Sequence, residues 1–176
     1  MNIAYINKTT TFSNMPSTVF STLNTYAFAQ NGHDATVVFK RPKKQPDTNY
    51  EKYFNLPNLD NFRMIDEPNN FLFLKSNEMF YARVNRRLIA EHQKKKFDMI
   101  ITRDPGYLPY LLSLKKRLGC KVFYQSHNFY LDTSLQPDQT KINQSKYHKF
   151  EKQFIPKLDG LLAINNPQKE LYEKYV

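Results

Sequence analysis

Short apolar runs alternate with amphipathic or polar stretches along this 176-residue chain. Residues 3–6 read as a short apolar strand, and residues 9–14 as a polar loop. Pro16 and Ser17 open a helix, because proline suits a first turn and Ser or Asn can cap it. Val19, Phe20, Leu23 and Ala27 then recur at helical spacing. Asn31 and Gly32 stop the helix, glycine being able to take the left-handed conformation. Residues 35–39 predict a second, β-branched strand. Residues 40–59 turn polar and rich in Pro, Lys and Asn, as an extended loop or crossover insertion would. A third strand follows at residues 62–65. Residues 77–96 predict a long helix with Phe80, Val84 and Leu88 on one face. Its other face carries Arg83, Arg86 and Arg87, then Lys94, Lys95 and Lys96, which suit the negative end of the helix dipole.

A strand at residues 98–102 leads into Arg103, Asp104, Pro105 and Gly106. Asp104 is a candidate helix cap with Pro105 at the first position. Pro109 would clash with the carbonyl four residues back, so the helix begins nearer Leu108. Gly119 ends it. Residues 121–128 read as a buried strand ending in polar groups, the last two being His127 and Asn128. A polar loop near Pro137, a helix at 141–155, a strand at 160–164 and a helix capped by Asn166 and Pro167 complete the pattern. This alternation predicts one α/β domain, Rossmann-like and three-layered, with a mostly parallel sheet and helices on both faces. The strand runs lack strict alternation, as expected for strands buried on both sides.

Composition narrows the setting. The one cysteine, Cys120, excludes an internal disulfide, and no Cys/His cluster has zinc spacing. It reads as a small apolar residue, and a reducing, cytoplasmic compartment is the simplest inference. The first residues read as a strand and not as a signal peptide. No apolar run reaches the roughly eighteen residues of a spanning helix, so a soluble or at most peripheral protein is expected. Twenty-six Lys and Arg against sixteen Asp and Glu give a formal charge of +10. Anionic lipid, a phosphorylated ligand, nucleic acid or a plain solvated surface could each account for it. Nucleic acid is not expected as a partner, because no recognition motif is present and the basic residues are spread over helices and loops. The helix at 77–96, preceded by Phe71, Leu72, Phe73 and Leu74, could dock on anionic lipid at about 1 kcal/mol per basic residue. The alternative is a core-packed helix with a wet basic face.

Candidate chemistry gathers at strand ends. The loop after the first strand has no glycine, so the dinucleotide fingerprint is absent, and no Walker A sequence occurs either. Thr9, Thr10, Thr11, Ser13 and Asn14 instead offer hydroxyls and amides, either for ligand contact or as a solvated loop with a helix cap. Asp104 as a cap is worth roughly 1 kcal/mol, and Arg103 is a candidate anion contact. His127, with Asn128 beside it, sits where open α/β sheets bind ligands, just past the carboxyl end of a strand. It is a site residue or only a strand terminus. The other histidines, His33, His92 and His148, fall in a turn or on polar helix faces, and no Ser–His–Asp arrangement or metal-ligand spacing can be drawn.

Taken in order, these motifs resemble a known family. Met1-Asn2-Ile3-Ala4-Tyr5-Ile6, with a helix ending in Asn31-Gly32-His33-Asp34-Ala35-Thr36-Val37-Val38, resembles the opening of the retaining GT-B glycosyltransferases of the "group 1" family. Phe97-Asp98-Met99-Ile100-Ile101-Thr102-Arg103-Asp104 resembles that family's fourth strand. The stretch from Leu114-Lys115-Lys116 through Tyr124-Gln125-Ser126-His127 resembles the helix and strand that end in its cleft histidine. Phe150-Glu151-Lys152 through Leu161-Leu162-Ala163-Ile164-Asn165-Asn166 resembles its Glu-containing helix and the next strand. The resemblance spans nearly the whole chain. It implies that residues 1–176 form the N-terminal, acceptor-side half of a GT-B fold, with the donor-binding C-terminal domain and its paired glutamates beyond Val176.

It further implies a retaining hexosyltransferase. A sugar would move from a nucleotide-diphosphate donor to a glycan or lipid-linked acceptor, with the nucleotide sugar as co-substrate, no other cofactor and no metal. The isolated domain would be inactive. His127 matches the cleft histidine, implying a role in orienting and hydrogen bonding, and its reference pKa of about 6.5 would allow proton exchange. The leaving diphosphate would take the acceptor proton. Thr10, Thr11, Asn14, Arg103, Asp104 and Asn128 are the expected substrate contacts. The chain departs from the family where Thr and Asn replace a glycine pair in the first loop, which leaves donor-phosphate contact there open, and where Asn165 stands in place of the usual Ser. A cytoplasmic location is expected, with the inner face of a membrane as a candidate peripheral site. The alternative from a different class is a non-catalytic α/β binding module for a phosphorylated or other anionic ligand.

Overall fold

The computed structural model of the chain describes residues 1–44, 46–71, 74–132 and 141–175. The polar loop expected near Pro137 lies outside the described residues, as do Leu72 and Phe73 of the apolar run before the long helix. The described chain divides into two compact units, Met1–Ile100 and Ile101–Val176.

In the first unit, β1 (Asn2–Thr10) begins with six consecutive buried residues, the pattern of a strand covered on both faces. It pairs in parallel with β2 (Asp34–Lys40), Asn2 opposite Asp34 through Ile6 opposite Val38. The register then shifts before Thr10 meets Lys40. The strand therefore runs on through residues expected to be loop. Asn7 supports the irregular stretch, its Oδ1 accepting from the Thr9 N–H at 3.1 Å. β3 (Phe62–Glu67) adds in parallel to β2, and β4 (Asn70–Phe71) pairs antiparallel with β5 (Leu74–Lys75).

Helix α1 (Pro16–Gln30) corrects an expectation. Phe20 and Leu23, read as part of a packing face, are 37% and 45% exposed. The buried face is instead Thr18, Ser21, Thr22, Thr25, Tyr26 and Ala29. Local polarity selects it. The buried Asn7 amide must find acceptors, and its Nδ2 donates to Ser21 Oγ at 2.7 Å, Ser17 Oγ at 2.9 Å and the Ser17 carbonyl at 3.1 Å. The Thr18 hydroxyl meets Thr9 Oγ1 at 2.9 Å, and the Thr25 hydroxyl closes on the Ser21 carbonyl at 2.8 Å. The N-cap is Met15, with no side-chain cap bond, so neither Ser nor Asn plays that role.

The polar stretch after β2 holds a one-turn helix, α2 (Tyr50–Phe54), capped by Asn49 and ended by Asn55 in the left-handed conformation. Helix α3 (Asn77–Lys94) follows, capped by the Ser76 hydroxyl, which accepts from the Met79 N–H at 3.1 Å. Phe80, Val84 and Leu88 are buried as their spacing requires, joined by Tyr81. The helix ends two residues earlier than expected.

β6 (Met99–Thr102) leads into the second unit, where a 3-10 turn (Pro105–Tyr107) precedes α4 (Leu108–Leu118). Asp104 caps that turn and α4 starts at Leu108, in accord with the constraint Pro109 imposes. Gly119, at a φ of 68°, closes the helix. β7 (Lys121–Gln125) stops two residues short of His127. After α5 (Lys141–Phe154), β8 (Gly160–Leu162) pairs in parallel with β7, and α6 (Asn166–Tyr175) ends the described chain. Gly160 is required by close approach, since a Cβ there would lie 2.7 Å from the Phe123 ring. Six strands join in one sheet in the order β3-β2-β1-β6-β7-β8, the Rossmann-like α/β architecture that the alternation of elements predicts.

Candidate active site

The second unit brings two expected site residues together. Arg103 follows β6 and His127 follows β7, and Arg103 Nη2 lies 2.6 Å from His127 Nδ1. A guanidinium has donors and no acceptor, so Nδ1 must be the accepting nitrogen. The neutral ring then carries its proton on Nε2. His127 reaches solvent, yet partial burial and the Arg103 charge hold its pKa below the ordinary imidazole value. With Nδ1 accepting, the ring in this contact is neutral and has one N–H donor, at Nε2.

Beneath this pair lies a buried polar network that sequence reasoning did not assign. Glu151 of α5 is fully buried. Its Oε1 accepts from the Tyr124 and Tyr172 hydroxyls, each at 3.0 Å, and its Oε2 accepts from the Tyr130 N–H at 3.0 Å. Burial pushes its carboxyl up to about 7, against the pull of the bonds from Tyr130, Tyr172 and Tyr124. Burial likewise raises both tyrosine hydroxyls, with the nearby Glu151 charge adding to it. The Tyr172 hydroxyl lies 2.6 Å from Ser126 Oγ, whose one hydrogen is shared between that hydroxyl and the Asn128 carbonyl at 2.7 Å. Gln168 Nε2 reaches the same Ser126 oxygen at 3.4 Å. One signal for Glu151 was present in the sequence. Ile155 stands four residues on, an apolar position at helical spacing, which puts Glu151 near the inward side of the helix that the sequence predicts over 141–155.

The remaining expected contacts are placed as follows. Asp104 is buried, and its Oδ1 accepts from the Gly106 N–H at 3.0 Å, so its carboxylate builds the turn before α4. Asn128 is exposed, its Nδ2 donating to the Tyr130 hydroxyl at 2.9 Å. In the first unit, Thr10 ends β1. Thr11 is buried, and its hydroxyl and N–H both bond the Lys40 carbonyl, at 3.0 and 2.9 Å. The exposed Asn14 accepts from the Tyr53 hydroxyl at 3.1 Å, while the Tyr53 ring meets Phe12 edge-on. The short helix α2 thus covers part of the first loop.

Also in the first unit, Arg83, Arg86 and Arg87 of α3 line an open groove of about 620 Å³ with Glu67, Met79, Ala82 and Ala90. Arg87 Nε lies 3.3 Å from Glu91 Oε1. Burial lifts the Glu67 carboxyl despite Arg87, Arg41 and Arg83 nearby. Among the described residues, no group of three His, Cys, Asp or Glu could hold a metal ion, and no helix is long and apolar enough to cross a membrane.

Comparison with known proteins gives this geometry a family. No curated protein sequence matches the chain. Among solved structures, the sucrose-phosphate synthase of Thermosynechococcus elongatus superposes with a TM-score of 0.73 at 14% identity, over 99% of this chain and 44% of that one. UGT89C1 of Arabidopsis thaliana, solved in complex with UDP, gives 0.61 at 14% identity, over 97% of this chain and 46% of that one. The lipopolysaccharide outer core galactosyltransferase WaaB gives 0.59 at 14% identity, over 99% and 42%. At these identities the likeness is one of fold, and this chain spans less than half the length of each of the three. The sequence pattern of Glycosyltransferase Family 4 matches residues 25–176, most of the length described here, and the chain belongs to that family.

Proposed function

We propose that the chain is the acceptor-side half of a retaining glycosyltransferase, moving a hexose from a nucleotide-diphosphate donor to a hydroxyl of a glycan or lipid-linked acceptor. The donor-binding half lies outside these 176 residues in this reading, in keeping with the 44% share of the synthase that the chain spans. The observation that carries it is the Arg103–His127 pair past the ends of β6 and β7, in a member of a glycosyltransferase family. A neutral His127 with its proton on Nε2 is a hydrogen-bond donor to an oxygen of the sugar or the acceptor. It is poorly suited to general base work, because its basic nitrogen already faces a cation. The acceptor oxygen forms the new bond to the anomeric carbon as the bond to the diphosphate breaks. The acceptor proton passes to the leaving diphosphate, so His127 orients and the product diphosphate serves as base. No metal or further cofactor enters this scheme.

The test is His127→Ala in the whole protein. Turnover should fall at least about tenfold with the far-ultraviolet circular dichroism unchanged. Wild-type turnover in that variant would sink the role given to His127. Product of inverted anomeric configuration would reject the retaining part alone.

A further inference from the structure

Resting on the reading of His127 as the cleft histidine, we infer that Glu151 is a positioning residue for it, acting through Tyr130, Tyr172 and Ser126. A carboxyl in a fully buried place is costly unless donors converge on it. Three do here, and their layout is informative. The Tyr130 N–H, at 3.0 Å, belongs to the segment that follows His127. The Tyr172 hydroxyl, at 3.0 Å, passes the restraint to both neighbours of the histidine. It lies 2.6 Å from Ser126 Oγ and 3.3 Å from the Asn128 carbonyl, its single hydrogen shared between that carbonyl and Glu151 Oε1. His127 itself takes no part in this network, so its backbone is held from residues 126 and 128 while its ring stays free to meet Arg103. The Tyr124 hydroxyl reaches the same carboxyl oxygen from β7 at 3.0 Å and also interacts with the Ser126 side chain. His148, on the same helix as Glu151, bonds the Tyr130 carbonyl through Nδ1 at 3.0 Å and restrains the segment from its other edge. Anchoring of this kind matters because a displacement of about 1 Å at a reacting centre can cost on the order of a hundredfold in rate.

Two substitutions separate positioning from plain packing. Glu151→Gln keeps the volume but puts an amide donor where only donors converge. Tyr172→Phe keeps the ring that packs edge-on against Phe129 at 4.8 Å and removes only the bridging hydroxyl. In the chain itself, Glu151→Gln and Tyr172→Phe should move the His127 ring resonance and return its pKa toward the ordinary imidazole value. In the whole protein, both should lower kcat about tenfold with KM within about twofold. A His127 resonance and titration in Glu151→Gln and Tyr172→Phe that match wild type would overturn the inference. So would full turnover in both when His127→Ala is inactive. Should Glu151→Gln fail to fold, Tyr172→Phe decides. A moved resonance together with full activity in His127→Ala leaves the positioning standing and rejects the role of the histidine, so the two readings fail separately.

Discussion

Glu151 has a consequence for stability that does not depend on any reaction. Its carboxyl titrates near 7 in the folded chain against an ordinary value of 4.5, and burial is the main cause. Between those values the folded state holds a proton that the unfolded state releases. The contribution of Glu151 is therefore full below about pH 4.5, falls as pH rises toward about 7, and is level above that. The whole swing is about 3 kcal/mol. Glu67, also lifted by burial, slopes in the same direction, and His127, with a lowered pKa, slopes the other way. The comparison must therefore be made between wild type and Glu151→Gln, which cannot titrate at that position. Urea unfolding at about pH 5 and about pH 8 should show the wild type losing clearly more stability than the variant across the interval. Equal losses in the two proteins would show that Glu151 does not carry this proton. The tautomer of His127 belongs to the same scale. The sequence places a histidine at a strand end, but only the Arg103 contact decides which nitrogen holds the hydrogen.

Among the elements, α1 is the clearest case of a face that periodicity misassigns. Val19, Phe20, Leu23 and Ala27 follow helical spacing, yet the side turned inward carries Ser and Thr. The cause is one residue on β1. Asn7 is buried, and its amide draws the hydroxyl side of the helix toward it. Asn7→Ala should therefore cost about 1–3 kcal/mol, read as a lower urea midpoint, because it strips partners from buried hydroxyls. Leu23→Gln should stay within about 0.5 kcal/mol of wild type. The reverse ranking would mean that the apolar side of α1 is the packed one. Elsewhere the order of strands and helices was legible, because buried strands such as β1 and β2 leave continuous apolar runs and α3 leaves Phe80, Val84 and Leu88 in register. The stop at Gly119 and the start at Leu108 were legible from backbone chemistry alone. The short helix α2 was not, since five residues in a polar stretch carry no period. At the site, Arg103 and His127 could be found as the ends of two apolar strands. The network under them could not, because Tyr124, Tyr130, Glu151 and Tyr172 are far apart in sequence and meet only through tertiary packing.

For the molecule as a whole, the excess of twenty-six basic over sixteen acidic residues raises the question of whether the charge acts diffusely or at one place. A diffuse excess attracts any anionic surface and weakens evenly as charges are removed. A focal patch depends on the few residues that touch. Helix α3 offers the focal arrangement, with Arg83, Arg86 and Arg87 around one open groove beside Met79 and Ala82. Of the two acceptor classes proposed, a lipid-linked one would bring the chain to a membrane face, and this groove is the surface on which that is tested. Vesicles containing about 30% anionic lipid should bind the chain at low salt, and binding should weaken strongly near 0.15 M, where the screening length is about 8 Å. Replacing Arg83, Arg86 and Arg87 with Gln removes three charges of the formal ten. At about 1 kcal/mol for each residue near the surface, a focal site loses on the order of a hundredfold in affinity. A purely diffuse attraction would lose far less, and three lysines replaced elsewhere would then do as much. Cosedimentation of wild type, the triple arginine variant and a triple lysine variant at Lys43, Lys44 and Lys174 separates these cases. Equal binding by the two variants would remove α3 as the docking face, and no binding by wild type at low salt would remove the membrane from the proposal altogether.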